Sequence, residues 1–216
     1  MGQAIARAVQ AEDDLGLAGV WERGGDLGAV VSAADVLVDF SLPGATREVL
    51  DATTASGTPL VCGVTGLDED LLAALAAAAA TVPVVYDRNM SLGIAVLESI
   101  AARAARALGS GFGVEVHETH HVHKIDAPSG TALKLGETVA EARGDDPAAM
   151  HYESLRRGDV PGDHTVIFTS PAETLRLGHS VSTREVFADG ALRAARWVIG
   201  RPAGLYAMRN VLDLER

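Results

Sequence analysis

One cysteine, Cys62, stands among 216 residues, which excludes an internal disulfide and fits a reducing compartment. It falls in the apolar run Leu60-Val61-Cys62-Gly63 and reads as a small buried hydrophobe rather than a reactive thiol. Aromatic residues are scarce as well, 4% against 48% hydrophobic overall, so any core is aliphatic and alanine-rich. Positive charge is short: the formal net charge of -11 argues against nucleic acid and against an anionic membrane surface as partners. No stretch has the signal-peptide pattern, and charge interrupts the alanine-rich helices too often for a bilayer span. These absences point to a soluble, cytoplasmic chain of one or two domains.

What is present begins with alternation. Residues 1–11 have helical spacing (Ile5, Ala8, Val9), and residues 17–21 read as a short strand ending in Glu22-Arg23-Gly24-Gly25. Strands follow at 36–40, 60–63 and 82–86, with helices at 45–56 and 68–80 between them. Short apolar strands alternating with helices predict a parallel, doubly wound sheet. The alanine run 73–80 needs no function, because alanine is the best helix former. In such sheets ligands bind beyond the carboxyl ends of the strands, here Glu22-Arg23, Phe40-Ser41, Gly63 to Gly66 and Asp87 to Met90. An acidic residue there can hold an adenosine ribose and an adjacent arginine a 2′-phosphate; Glu22-Arg23 offers both, though such loop pairs are often only solvated. A long helix over 91–108 leads into a second half with a strand at 114–117 and a helix from Gly130 to Arg143. Hairpin-like strands at 151–157, 164–169 and 173–182 come next, then a helix at 188–199. This half reads as α+β with a mixed or antiparallel sheet.

The chemistry is concentrated between these strands and helices. Glu118-Thr-His-His-Val-His-Lys-Ile-Asp-Ala-Pro-Ser-Gly-Thr-Ala132 places three imidazoles and one ammonium within five residues, against an acidic background. Asp126-Ala127-Pro128 breaks the chain, and Ser129 can cap the helix that opens at Gly130-Thr131. A helix N-terminus favours a carboxylate or phosphate, and His and Lys beside it suit a proton donor and a charge anchor. The pattern Glu118-x-His120-His121-x-x-Lys124-x-Asp126-Ala-Pro-Ser-Gly130-Thr131-Ala132 resembles the signature of the 4-hydroxy-tetrahydrodipicolinate (dihydrodipicolinate) reductase family of lysine biosynthesis. The likeness extends over essentially the whole chain.

That resemblance implies a Rossmann-like nucleotide-binding domain (1–89 with 190–216) and a substrate-binding and oligomerisation domain (90–189). It implies NADPH or NADH as cofactor, a cyclic dicarboxylate as substrate, and a homotetramer formed through the substrate-domain sheet. His120 and Lys124 match the catalytic pair. His121, Gly130 and Thr131 match substrate-binding positions. Glu22, Arg23, Gly63, Val64, Thr65, Asp87, Arg88, Asn89 and Met90 match cofactor-binding ones. Gly63-Val64-Thr65-Gly66 stands where many members have Gly-Thr-Thr-Gly, and Asp87-Arg88-Asn89-Met90 where many have Ala-Ala-Asn-Phe. His117 and His123 are assigned to support or solvent, Asp126 and Pro128 to the turn; Glu118 either orients an imidazole or makes a strand-end salt bridge. The family's first strand and Gly-rich phosphate loop would lie directly before Met1-Gly2 and are missing from this sequence. Two other readings stay open: a non-catalytic or impaired NAD-domain protein, and a zinc hydrolase using the literal His117-Glu118-x-x-His121 string. The latter motif works only on a helix, where positions i and i+4 share a face.

Overall fold

A computed structural model describes residues 1–214. In chain order the first elements are α1 (Gly2–Gln10), α2 (Leu27–Ser32), β1 (Leu37–Asp39), α3 (Pro43–Ser56), β2 (Leu60–Cys62), α4 (Glu69–Ala79) and β3 (Pro83–Tyr86). The middle of the chain carries α5 (Leu92–Leu108), β4 (Gly113–His120), α6 (Gly130–Arg143), β5 (His151–Arg156), β6 (Asp163–Thr169) and β7 (Thr174–Ser180). The chain closes with α7 (Glu185–Val198), β8 (Gly204–Tyr206) and α8 (Met208–Val211). Two compact units result, one of Met1–Ser91 with Glu185–Asp213, the other of Leu92–Arg184.

The first unit is built on an all-parallel sheet in the order β1-β2-β3-β8. Leu60, Val61, Cys62, Val84 and Val85 have no solvent exposure, as strands covered on both faces require. Leu37, Leu60, Cys62 and Val84 turn toward α2, α3 and α4, while Val38 and Phe40 turn toward α1 and α7. Pro43 opens α3 at a position where its missing N–H costs nothing. The Asp68 carboxylate caps α4 by accepting from the Leu71 N–H at 2.9 Å. Residues 17–21 are not a strand. No other segment among the described residues runs a ladder with them, and the outer edge of β1 is likewise unpaired there. A strand exists only with a neighbour. A cavity of about 670 Å³ lies along that edge, lined by Ile5, Val9, Leu17, Val20, Val38 and Leu192 among others.

Helix α7 lies so close to the loop after β3 that a Cβ on Gly190 would sit 1.7 Å from the Met90 carbonyl oxygen. Both atoms belong to backbone, so no side chain can yield. Gly190→Ala is therefore expected to cost at or above the ~1–3 kcal/mol usual for overpacking, read as a lower urea midpoint. An unchanged midpoint would show that α7 slides freely.

The second unit holds a mixed sheet, order β5-β4-β6-β7. The hairpin expectation holds only for β6 and β7; β5 lies parallel to β4 on the other side, with His120 opposite Arg156. Val116, Leu135, Val139, Val166 and Phe168 pack with α5 and α6 over one face. Strand β4 also runs further than the alternation at 114–117 suggests. It carries Glu118 and His120 inside the ladder rather than on the following loop.

Candidate active site

On β4 the inward positions are Val116, Glu118 and His120, and on β6 they are His164, Val166 and Phe168. The strand period of two thus carries three polar side chains toward a face that is otherwise apolar. Glu118 is only 2% exposed, His120 7% and His164 3%, so each must find partners. Glu118 Oε2 lies 2.5 Å from His120 Nδ1, and the Arg156 guanidinium reaches both Glu118 oxygens at 2.9 and 3.0 Å. Arg156 also donates to the carbonyls of Lys124 and Asp126, tying the turn to the sheet. With Nδ1 committed to Glu118, Nε2 is the working nitrogen of His120. The chain passes over it at Gly162, where a Cβ would lie 3.0 Å from Nε2.

Burial pulls the His120 pKa below that of free imidazole, while the hydrogen bond and charge of Glu118 push it back up. Burial would raise the Glu118 pKa, but hydrogen bonds from His120, Ser154 and Arg156 outweigh it and hold the carboxyl below its ordinary value. The site therefore sets a carboxylate against a buried imidazole. Beside it, Ser129 caps α6, its hydroxyl accepting from the Ala132 N–H at 3.2 Å. Gly130 and buried Thr131 form the first turn. Lys124 Nζ lies 2.8 Å from Asp126 Oδ1. Burial raises the Asp126 pKa less than Lys124 lowers it. Arg184 Nη2 stands 3.2 Å from His121 Nε2, and His121, His123, Asp159, Pro161 and Arg184 line a pocket of about 270 Å³. His117 points outward to Glu115 and Glu153.

His164 has its pKa lowered to about 3, chiefly by burial. A folded value below the unfolded ~6.5 means the unfolded chain binds the extra proton. Stability is then full above pH ~6.5 and declines as pH falls toward about 3. The ceiling is on the order of 5 kcal/mol. Urea midpoints across that window should fall more steeply for the wild type than for His164→Gln. Parallel slopes would remove His164 as the source.

The residues matched to cofactor contacts divide by burial. Glu22, Arg23, Thr65 and Arg88 are exposed. Val64 and Met90 are 1% exposed, backbone included, and belong to the core. Asp87 is buried and accepts from the N–H groups of Asn89 and Met208, which fixes the loop after β3. Gly63 lies against the Phe40 ring, with no room for a Cβ. Cys62 is fully buried with its pKa pushed up to about 12 by desolvation, an inert thiol. At the carboxyl end of β1, Asp39 Oδ2 and the Ser41 hydroxyl are buried without a partner among the described residues.

The string His117-Glu118-x-x-His121 lies on extended chain, where i and i+4 are ~13 Å apart rather than on one helical face. Among the described residues no group of three or more His, Cys, Asp or Glu has metal-binding geometry.

Sequence reasoning missed Arg156, Gly162, His164 and Arg184. A polar residue at an inward strand position was the available signal for His164; the others reach the site only through strand pairing and loop closure.

Residues 1–90 match the family model "Dihydrodipicolinate reductase, N-terminus", and residues 93–212 match "Dihydrodipicolinate reductase, C-terminus". A 4-hydroxy-tetrahydrodipicolinate reductase of Thiobacillus denitrificans is 42% identical over 254 residues, spanning 100% of this chain and 95% of the relative. One from Alkalilimnicola ehrlichii is 46% identical over 88% of this chain and 78% of its own. The fold is shared with a dipicolinate-bound dihydrodipicolinate reductase from Paenisporosarcina sp. TG-14, at TM-score 0.77 and 21% identity, over 95% of this chain and 92% of that one. By sequence over nearly its whole length, the chain belongs to the dihydrodipicolinate reductase family.

Proposed function

We propose that His120 is the proton donor and Lys124 the charge anchor in the NAD(P)H-dependent reduction of 4-hydroxy-tetrahydrodipicolinate to tetrahydrodipicolinate, with loss of water. The observation that carries the assignment is the buried Glu118–His120 pair at 2.5 Å, set beside the N-terminus of α6. Glu118 fixes the tautomer with the proton on Nδ1 and stabilises the imidazolium, so His120 delivers its proton from Nε2. Gly130, Thr131 and Lys124 supply N–H groups, a hydroxyl and an ammonium to one substrate carboxylate, which exchanges with Asp126 on Lys124. His121 and Arg184 offer an imidazole and a guanidinium to the other.

The nicotinamide cofactor supplies the hydride. The residues present fit it: the parallel sheet ends in Asp39 Oδ2 and the Ser41 hydroxyl, buried with no partner among the described residues, and in exposed Thr65 and Arg88. The unit of Met1–Ser91 with Glu185–Asp213 is the nucleotide-binding domain and that of Leu92–Arg184 the substrate domain, a few residues from the boundaries at 89 and 190 expected from sequence. Glu22 and Arg23 together suit both NADH and NADPH. A homotetramer forms on the mixed sheet, whose face away from α5 and α6 includes exposed Leu155. No helix among the described residues is long and apolar enough to cross a membrane, and a single free cysteine suits the cytoplasm.

The deciding experiment is cofactor oxidation with freshly generated substrate, run with each nucleotide, alongside sedimentation for the tetramer. Absence of substrate-dependent oxidation with both would overturn the reading.

A further inference from the structure

Four buried polar side chains meet in the second unit, and the proton transfer from His120 uses only that imidazole and Glu118. His164 and Ser129 are 3% and 1% exposed, and His164 Nε2 lies 3.1 Å from Ser129 Oγ. Ser129 Oγ also accepts from the Ala132 N–H, and its remaining hydrogen bond is the one it shares with His164 Nε2. His164 Nδ1 is buried and has no partner among the described residues. On its other side the His164 ring meets the His120 ring edge to face, centroids 5.1 Å apart. One imidazole thus touches both the proton donor and the hydroxyl that caps the carboxylate-binding helix.

A purely structural residue here would be apolar. Val166 and Phe168 hold the next two inward positions of β6, and each is fully buried. A histidine with one buried nitrogen unsatisfied carries a desolvation penalty that a leucine or phenylalanine would avoid. What the imidazole adds is the hydrogen bond to Ser129 at one end and a ring of fixed orientation at the other. Gly162 closes the arrangement, a Cβ there standing 3.4 Å from His120 Cδ2 and 3.5 Å from His164 Cε1. His120 is thereby held between Glu118, His164 and the backbone at Gly162.

We propose that His164 is a positioning residue that couples the start of α6, through Ser129, to the ring of His120. It touches neither substrate nor cofactor. The proposal rests on the catalytic reading of His120 and deepens it: the carboxylate site and the proton donor are set in register by one buried side chain. Without the link, the first turn of α6 is free to rotate away from the cap geometry, and carboxylate binding suffers before proton transfer does.

The test uses the full-length protein and pyridine-2,6-dicarboxylate (dipicolinate), a dead-end dicarboxylate whose binding is measured by calorimetry in the presence of oxidised nucleotide. Ser129→Ala and His164→Phe each remove the hydrogen bond, the second keeping a ring against His120. Each is expected to weaken dipicolinate binding and raise KM by about three- to tenfold, with kcat within about twofold, as loss of one hydrogen bond implies. The double variant should be no weaker than the worse single one, because both break the same link. His164→Gln, which puts an amide at the place of Nε2, should recover most of the affinity. Multiplicative losses in the double variant, no rescue by glutamine, or a fall in kcat with unchanged affinity would each overturn the proposal. His120→Gln run alongside keeps the two readings apart: if it retains turnover while the Ser129–His164 coupling appears, the catalytic assignment fails and the coupling stands.

Discussion

His120→Gln is expected to lower turnover by ~10²–10⁴-fold while leaving the fold intact, the range for removing a positioned general acid. The Arg156 guanidinium still bonds both Glu118 oxygens, so the buried carboxylate is not stranded and the loss is chemical. Dipicolinate affinity should change little, since the carboxylate contacts come from α6 and Lys124. Lys124→Ala is expected to behave differently. Its ammonium sits 2.8 Å from Asp126 and faces the turn before α6, so its removal should raise KM as well as lower kcat. Steady-state kinetics with circular dichroism as the folding control checks both. Near-native kcat in His120→Gln would make the signature structural and leave His120 without a role in proton transfer.

Much of this site was legible because it is local. The run from Glu118 to Ala132 carries the strand end, the turn, the cap and the helix start in one stretch, each set by nearest-neighbour chemistry. Even the inward direction of Glu118 and His120 follows once β4 is extended through residue 120. Alternation alone stops that strand at 117, because consecutive histidines blur the pattern. Arg156, His164 and Gly162 could not be read this way. They reach His120 through the register of β5 and β6 and through the loop between them, and register depends on partners far along the chain.

The parallel sheet was equally visible as alternating apolar runs, yet its ends were not. Residues 17–21 have strand composition but no ladder, while β8 is three residues of Gly-Leu-Tyr that pair with β3. Composition records what a segment tolerates, and pairing decides what it becomes. The cofactor loops show the same division. Val64 and Met90 look like loop residues in sequence, but both are buried in the core.

Glu118 carries the other large expected effect, because its carboxylate has no solvent exposure and is held by the Arg156 guanidinium and the His120 imidazole. Glu118→Leu would leave the Arg156 guanidinium and His120 Nδ1 facing an apolar group. Breaking one side of a buried pair costs ~3–5 kcal/mol. The low end is expected here, since Arg156 is partly exposed and keeps its bonds to the carbonyls of Lys124, Asp126 and Leu155. Turnover should fall with it: without the carboxylate nothing fixes the His120 tautomer or offsets the burial that lowers its pKa. The informative comparison is the double variant Glu118→Leu with Arg156→Met. Replacing both members of a buried ion pair with apolar groups is often neutral or stabilising. Urea midpoints should therefore return toward the wild type, while turnover stays as low as in the single variant. Recovery of both together would make Glu118 a structural anchor for Arg156 and leave His120 working without a partner. Recovery of stability alone is the signature of a carboxylate retained for the imidazole beside it.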